Sequence, residues 1–228
     1  METWARKLAD QAFYGAFTPD GQKVIYIGDA SPTQASLKVV PAAGGTAVEL
    51  LPASANLTQI NGVSPDGKYV AAETINAAQD AVELQLLATD GTGQPRKLLE
   101  SPRGFTVIFG PDSKTMAYIS SEVSALDYWF PTNLYLVDTG GTSAGKIVGV
   151  ETIESVVGFS EQNRLVYVQK ANATTGVGEF VSLAPGAAAA STISSTVGTF
   201  DLVPTEQRQA VYLYSETGAE GLYLADVP

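Results

Sequence analysis

Residues 17–26 read Phe-Thr-Pro-Asp-Gly-Gln-Lys-Val-Ile-Tyr, and this stretch decides the fold because its pattern returns along the chain. It recurs as Val-Ser-Pro-Asp-Gly-Lys-Tyr-Val-Ala-Ala at 63–72 and as Phe-Gly-Pro-Asp-Ser-Lys-Thr-Met-Ala-Tyr at 109–118. Two worn copies, at 159–167 and 203–212, replace Pro-Asp-Gly by Glu-Gln-Asn and Thr-Glu-Gln. The five copies begin 46, 46, 50 and 44 positions apart. The chain therefore consists of five repeats of one structural unit.

Each repeat predicts four short antiparallel strands, which we name a, b, c and d. A second alternating segment, such as 84–87 or 134–137, follows each copy, and a turn and a further short segment come next. Runs of period two that are punctuated by turn residues are typical of strands. Pro-Asp-Gly favours a tight a–b turn, because Pro presets φ, Asp bonds the nearby backbone and Gly accepts positive φ. Four-stranded units at this spacing indicate β-propeller blades.

We therefore predict an all-β, five-bladed β-propeller of four-stranded antiparallel blades, forming a single domain over residues 1–228. The blade repeats are expected at about 15–51, 60–99, 105–150, 155–196 and 199–228. The fifth repeat stops after its strand c, and residues 4–8 resemble the strand d of residues 94–98. We expect residues 3–9 to complete the last blade as its N-terminal strand, since closing the ring removes exposed strand edges. A fragment of a six- or seven-bladed ring is the alternative.

The Pro-Asp-Gly box, its apolar strand, strand c and the Gly turn resemble the WD-repeat-like Pro-Asp repeat of TolB-type propellers. Residues 60–99 and 105–141 carry the resemblance best, and residues 161–163 and 205–207 depart from it. The motif is specific for fold and says little about activity, because propellers host unrelated functions. The resemblance implies a periplasmic or extracellular interaction domain, or a propeller beside another domain. A cytoplasmic location is the alternative.

Composition excludes several classes of function. With 24 acidic and 13 basic residues, the net charge of −11 argues against nucleic acid and anionic membranes as partners. No apolar run approaches the roughly 20 residues that a membrane helix needs, so we expect no membrane insertion. The chain has no Cys and no His, which excludes disulfides, thiolate metal sites and a Ser-His-Asp triad. We expect no cofactor and no metal.

The recurring carboxylates Asp20, Asp66 and Asp112 could form a ring that binds cations, or they could stabilise turns. Gln162 and Glu206 interrupt the ring, which favours the turn interpretation. The segments 90–93 and 139–142 lack the Lys-Ser/Thr of a P-loop and the spaced acids of an EF-hand. We interpret them as hairpin turns.

A hydrolase built on a propeller would need two carboxylates about 5–9.5 Å apart in the channel. The predicted strand a segments that would line this channel contain one acid, Asp201, with Asp10 and Glu154 just outside. This pattern predicts no catalytic residues and favours a non-enzymatic protein.

The b–c loop of the third repeat, residues 120–132, is the longest and holds Asp127, Tyr128, Trp129 and Phe130. Loops carry function, and Trp and Tyr are frequent binding hot spots. We predict these four residues as a binding site with Trp129 as its anchor. A packed plug over the channel mouth is the alternative.

Acidic residues near the same end of the repeats predict a negative surface: Asp29, Glu73, Asp80, Glu122 and Asp127. Such a surface favours a partner protein with a basic surface. We therefore predict a monomeric, non-enzymatic, protein-binding scaffold. The alternatives are a central channel that binds or hydrolyses a small molecule or carbohydrate, and a purely structural module of a larger protein.

Overall fold

A computed structural model describes residues 7–10, 12–31, 34–53, 56–120, 132–152, 157–170, 172, 175, 177–202, 209–214 and 221–227. The regular elements of these residues are strands, and no helix among them is long and apolar enough to cross a membrane. The chain divides into two compact units, residues 1–100 and 101–228. Each unit contains two antiparallel sheets, as the alternating apolar pattern predicts.

The first unit holds two four-stranded sheets in simple up-and-down order. The first sheet comprises β1 Tyr14–Phe17, β2 Lys23–Ser31, β3 Gln34–Pro41 and β4 Val48–Leu51. The second comprises β5 Leu57–Val63, β6 Tyr69–Ile75, β7 Val82–Ala88 and β8 Arg96–Ser101. Both sheets contribute to one buried apolar cluster, which includes Ile25 and Leu37 from one and Val70 and Leu87 from the other. Burial of these alternate side chains stabilises the pair of sheets.

The second unit holds a four-stranded and a six-stranded sheet. The four strands are β9 Phe105–Phe109, β10 Thr115–Ser120, β11 Thr132–Asp138 and β12 Lys146–Thr152. The six are β13 Val157–Phe159, β14 Leu165–Gln169, β15 Gly178–Leu183, β16 Ser191–Leu202, β17 Gln209–Tyr214 and β18 Gly221–Asp226. Side chains of both sheets, among them Ile119 and Leu134 against Tyr167 and Val181, form a shared core.

The fourth and fifth repeats share one sheet, which differs from the separate blades expected at 155–196 and 199–228. The twelve-residue strand β16 serves as strand d of the fourth repeat and continues as strand a of the fifth. Val197 pairs with Gly178 on one side and with Tyr214 on the other, and the register shifts before Thr199. This segment is rich in β-branched residues and contains no Pro, so nothing in it ends the strand. The described residues therefore form four sheets, and they do not show the five separate blades that we predicted.

Ring closure by the N-terminal strand is not shown either. Residues 1–6 lie outside the described residues, and residues 7–9 are described but belong to no strand. Within the described part of the chain, β18 is paired with β17 alone. Leu222 and Leu224 on β18 are 71% and 61% exposed.

The aspartates of the three intact boxes form the predicted turns. Each carboxylate accepts a hydrogen bond from the backbone N–H two residues later, at 2.9–3.1 Å: Asp20 from Gln22, Asp66 from Lys68, and Asp112 from Lys114. In the first two boxes a hydroxyl at the second position also donates to the aspartate, Thr18 at 2.5 Å and Ser64 at 2.8 Å. The turn interpretation of these carboxylates is confirmed.

The fifth residue of each repeated motif, counted from Phe17 in the first copy, has a left-handed backbone in all four copies that the structure describes. Its φ is 69° at Gly21, 70° at Gly67, 62° at Ser113 and 60° at Asn163. Asn is one of the few residues other than Gly that tolerate this conformation. The worn fourth box therefore keeps the turn of the others, although its sequence has lost Pro-Asp-Gly.

Candidate functional site

The end of each sheet where strand b passes into strand c, the b–c end, is the predicted binding surface. Residues 121–131 lie outside the described residues, so Asp127, Tyr128, Trp129 and Phe130 stay predictions. Both flanks of this loop are described: Ser120 ends β10 and is buried, and Thr132 begins β11.

The b–c turn of the second repeat is a polar turn between β6 and β7. The backbone N–H of Asn76 donates to the carbonyl of Ala81 at 2.9 Å, and that of Gln79 donates to the carbonyl of Asn76 at 3.0 Å. The N–H of Asp80 donates to Asn76 Oδ1 at 3.2 Å. Gln79 has a φ of 61°. The turn is held by Asn76, which also organises the charged side chains beside it.

A group of charged and amide side chains, which we name the Lys97 cluster, joins this turn to strands β7 and β8. Its members are Asn76, Asp80, Glu83, Lys97 and Glu100. The Asn76 amide donates to Asp80 Oδ1 and to Glu100 Oε1, both at 2.8 Å. Lys97 Nζ donates to Glu83 Oε1 and to Glu100 Oε2, both at 2.6 Å. Two carboxylates contact the ammonium and Asp80 lies beyond Asn76, so three acids and one base give the cluster two net negative charges.

The Lys97 cluster is exposed enough to meet a partner. The exposed fractions of the side chains are 47% for Lys97, 41% for Glu100 and 21% for Glu83. The hydrogen bonds that Lys97 donates to Glu100 and then to Glu83 raise the pKa of Lys97, and hydrogen bonds from Lys97 and Asn76 lower the pKa of Glu100. Ion pairs at such exposure contribute little to folding because water and salt screen them. The cluster therefore matters more for the charge it presents than for stability.

Two of the other predicted acids do not add to a negative surface. Lys38 pairs with Asp29, to which Ser36 Oγ donates at 3.1 Å. Glu73 is only 4% exposed and accepts a hydrogen bond from Asn61 Nδ2 at 2.7 Å. The expectation that Glu73 belongs to the surface is wrong, because β6 turns its side chain into the protein. Glu122 lies outside the described residues.

The Asn61–Glu73 contact was missed by the sequence reasoning. The pairing of β5 with β6 shifts between Ile60 and Gly62, so Asn61 is the extra residue of a β-bulge. A bulge redirects a side chain, and here the amide meets the buried carboxylate. The signal in the sequence was a single acid within the apolar run Val70-Ala71-Ala72-Glu73.

The candidate channel acids are not brought together in the described residues. The backbone of Asp201 lies opposite Val211 in the β16–β17 pair, and its side chain is outside the described set. Asp10 pairs with Lys7, and Glu154 lies outside the described residues. No group of three potential metal ligands occurs among the residues that the structure describes.

The Gly-rich segment 90–93 forms the predicted hairpin turn. Asp90 Oδ1 accepts hydrogen bonds from the N–H of Thr92 at 2.9 Å and from its hydroxyl at 2.6 Å. Gly91 and Gly93 have φ values of 75° and 79°. The side-chain oxygen of Asp90 is thus committed to its own turn, as the turn interpretation expects.

No protein-family model matches the chain, and no curated protein matches it. Among solved structures, a prolyl endopeptidase aligns at a TM-score of 0.58 and 17% identity, over 96% of this chain and 35% of that one. The β-propeller domain of the trilobed protease from Pyrococcus furiosus aligns at 0.57 and 14%, over 94% and 68%. TolB from Acinetobacter baumannii aligns at 0.47 and 16%, over 96% and 52%.

These likenesses show a β-propeller type of fold. At such identities they say nothing more, and the TM-score for TolB is too low to carry an argument. The WD-repeat-like family is not confirmed by a family model. The chain spans between 35% and 68% of the length of these solved chains.

Proposed function

We propose that this chain is a non-enzymatic propeller module that binds a protein partner with a basic surface through the b–c end of its repeats. The Lys97 cluster is the observation that carries the proposal. It places three carboxylates and one ammonium at this end, in a chain whose net charge is −11. Complementary charge speeds encounter and selects partners. The absence of His and Cys from the sequence supports a role without catalysis.

A charge-matched comparison tests the proposal. A fluorescent octalysine peptide serves as the basic probe, and the double variant Glu83→Gln/Glu100→Gln removes two charges from the Lys97 cluster. Its control is Asp20→Asn/Asp90→Asn, which removes two charges from turns of the first unit at the end opposite its b–c turns. We expect the first variant to weaken binding about two- to tenfold, and the control to weaken it far less. Equal weakening in both would mean that only net charge matters and would overturn the proposal.

We further infer that residues 3–9 pair with β18 and complete the last repeat of a five-repeat, closed propeller. The support is strand β18, which is the last strand of its sheet in the described part of the chain, and whose exposed Leu222 and Leu224 would otherwise favour association. Deleting residues 1–9 should produce oligomers in light scattering and lower the melting temperature. A deletion variant that stays monomeric and equally stable would show that these residues do not close the ring.

The runner-up function is a central channel that binds or hydrolyses a small molecule or carbohydrate. It is favoured by the fold likeness to a prolyl endopeptidase, of which this chain spans 35%. With no His, a Ser-His-Asp triad would have to come from another part of such a protein. Hydrolysis of a peptide or glycoside by the purified chain, abolished by Asp201→Asn, would favour catalysis over scaffolding. A periplasmic or extracellular location rests on the sequence resemblance alone.

A further inference from the structure

A cavity of about 320 Å³ lies in the second unit, between its two sheets and at the end opposite the b–c loops. Its apolar walls include Leu136, Phe159, Leu165 and Leu183. Asp112, Lys114, Thr115, Asp138 and Asn163 line its polar side, and the turn Ala184-Pro185-Gly186 forms another wall. The volume is near the lower end of the roughly 300–1,000 Å³ that is usual for small-ligand sites.

In the first unit, a lysine side chain fills the place that corresponds to this cavity. Lys23, at the start of β2, extends from the first sheet to the second, and its Nζ donates to Thr89 Oγ1 at 3.1 Å. Its charge also acts on the carboxylates of Asp20 and Asp90, whose pKa values are lowered chiefly by hydrogen bonds from Thr18 and Thr92 respectively. A lysine stem and ammonium group therefore cross between the first two sheets, close to two acids.

The internal repeat identifies the equivalent residues in the second unit. Lys23 lies opposite Pro41 in its sheet, and Thr115 lies opposite Asp138 in the corresponding register. The turn Ala88–Gly91 that contains Thr89 has the same closing hydrogen bond as the turn Ala184–Ala187. Thr115 thus replaces Lys23, and Pro185 replaces Thr89. The lysine and its hydroxyl acceptor are both missing, and the cavity occupies their place.

The charges that line the cavity suit a cation. Asp112 corresponds to Asp20, and it accepts hydrogen bonds from the N–H of Lys114 at 2.9 Å and from Asn163 Nδ2 at 2.8 Å. Both donors are neutral groups, so neither adds a positive charge beside the carboxylate. Asp138 adds a carboxylate where the first unit has Pro41, and its Oδ1 accepts from the N–H of Gly140 at 2.9 Å. Lys114 contributes one opposing positive charge, where the first unit has Gln22.

We propose that this cavity binds an alkylammonium group, the lysine side chain of a partner protein, in the place that Lys23 fills in the first unit. The stem would lie on the apolar wall and the ammonium between Asp112 and Asp138. This site is separate from the b–c end, so a partner could engage either without the other.

The probe is N-acetyl-lysine methylamide, and the matched control is N-acetyl-norleucine methylamide, which has the same stem without the charge. Binding is followed by NMR shifts of the backbone amides of Thr115 and Asn163. We expect shifts that saturate with the lysine compound and not with the norleucine compound. Free n-butylamine carries the alkylammonium group without the peptide backbone. We expect it to bind more weakly than the lysine compound. Tighter binding of n-butylamine would identify a free amine, not a protein side chain, as the ligand.

Three variants of the cavity and one control outside it separate the ammonium from other ligands. Lys114→Gln, which reproduces Gln22 of the first unit, should tighten binding, and Asp138→Asn, which keeps the acceptor for Gly140, should weaken it, each about two- to fivefold. Thr115→Lys/Pro185→Thr rebuilds the Lys23–Thr89 pair and should abolish binding. Asp90→Asn, in the first unit, should leave binding unchanged. Weaker binding in Lys114→Gln, or equal binding of both compounds, would overturn the proposal.

Discussion

The side-chain amide of Asn163 donates to Asp112 Oδ2 at 2.8 Å and thereby ties the turn of the fourth repeat to that of the third. The same nitrogen donates to Thr115 Oγ1 at 3.0 Å. The contact is possible because Gly110 replaces the Thr or Ser of the first two boxes. A Cβ on Gly110 would lie 2.4 Å from Asn163 Oδ1. The worn sequence of the fourth box is thus accommodated by a change in its neighbour.

Gly110→Ala should destabilise the protein by about 2 kcal/mol, because the new methyl group overpacks the site against Asn163 and Thr115. In the background of Asn163→Gly the same change should cost less, by at least about 0.5 kcal/mol. Urea unfolding of the four proteins of this double-mutant cycle measures the difference. Lys170→Ala, at the b–c end of the same unit, is the control and should be additive with Gly110→Ala. Additivity in both cycles would contradict the coupling.

Gly67→Ala should cost more stability than Gly21→Ala. The two glycines have nearly the same φ, 70° and 69°, so the backbone penalty of about 1 kcal/mol is shared. A Cβ on Gly67 would lie 3.1 Å from the Cβ of Thr18, whereas one on Gly21 would meet nothing within 4 Å. We expect a total of about 2 kcal/mol for Gly67→Ala by denaturant unfolding. Equal losses would mean that the neighbouring turn yields without strain.

The stability of the protein should fall at high pH through Tyr167. Burial raises the pKa of its phenol from 10.0 to about 12. A group whose pKa is raised on folding contributes its full stability below its unfolded pKa, and this contribution is lost as the pH rises from about 10 towards 12. Melting temperatures across this range should therefore decline less steeply in Tyr167→Phe than in the native protein. Tyr167→Phe also loses the hydrogen bond to the carbonyl of Val148, 2.6 Å long, at about 1 kcal/mol. Equal slopes would contradict the role of the phenol.

Trp129→Ala distinguishes an anchor from a plug. An anchor should lose about 2 kcal/mol or more of binding to a partner, with little change in melting temperature. A buried plug should lose about 3–5 kcal/mol of folding stability. Acrylamide quenching in a Trp4→Phe background, which leaves Trp129 as the single tryptophan, reports its exposure directly. Complete protection of Trp129 in the free protein would contradict the anchor.

The strands and turns were largely predictable from the sequence, whereas the environment of single polar residues was not. The alternating runs gave the strand positions, and Asp66 was assigned to its turn correctly, because both depend on residues close together in the chain. Glu73 was placed on the surface because it lies near the b–c end of its repeat. It is buried because β6 turns its side chain into the protein, and the bulge at Asn61 that supplies its hydrogen-bond donor is not evident from the β5 sequence alone.

By itself the sequence determined an all-β chain of repeated four-strand units with a tight Pro-Asp-Gly turn, because periodicity and turn chemistry act over a few residues. Only the tertiary structure decided that β16 runs through two repeats, since a strand continues or ends according to the partners on both its sides. It also decided that Lys23 fills the space between the first pair of sheets while a cavity remains between the second. Those outcomes depend on side chains that approach from a neighbouring sheet, many positions away in the chain.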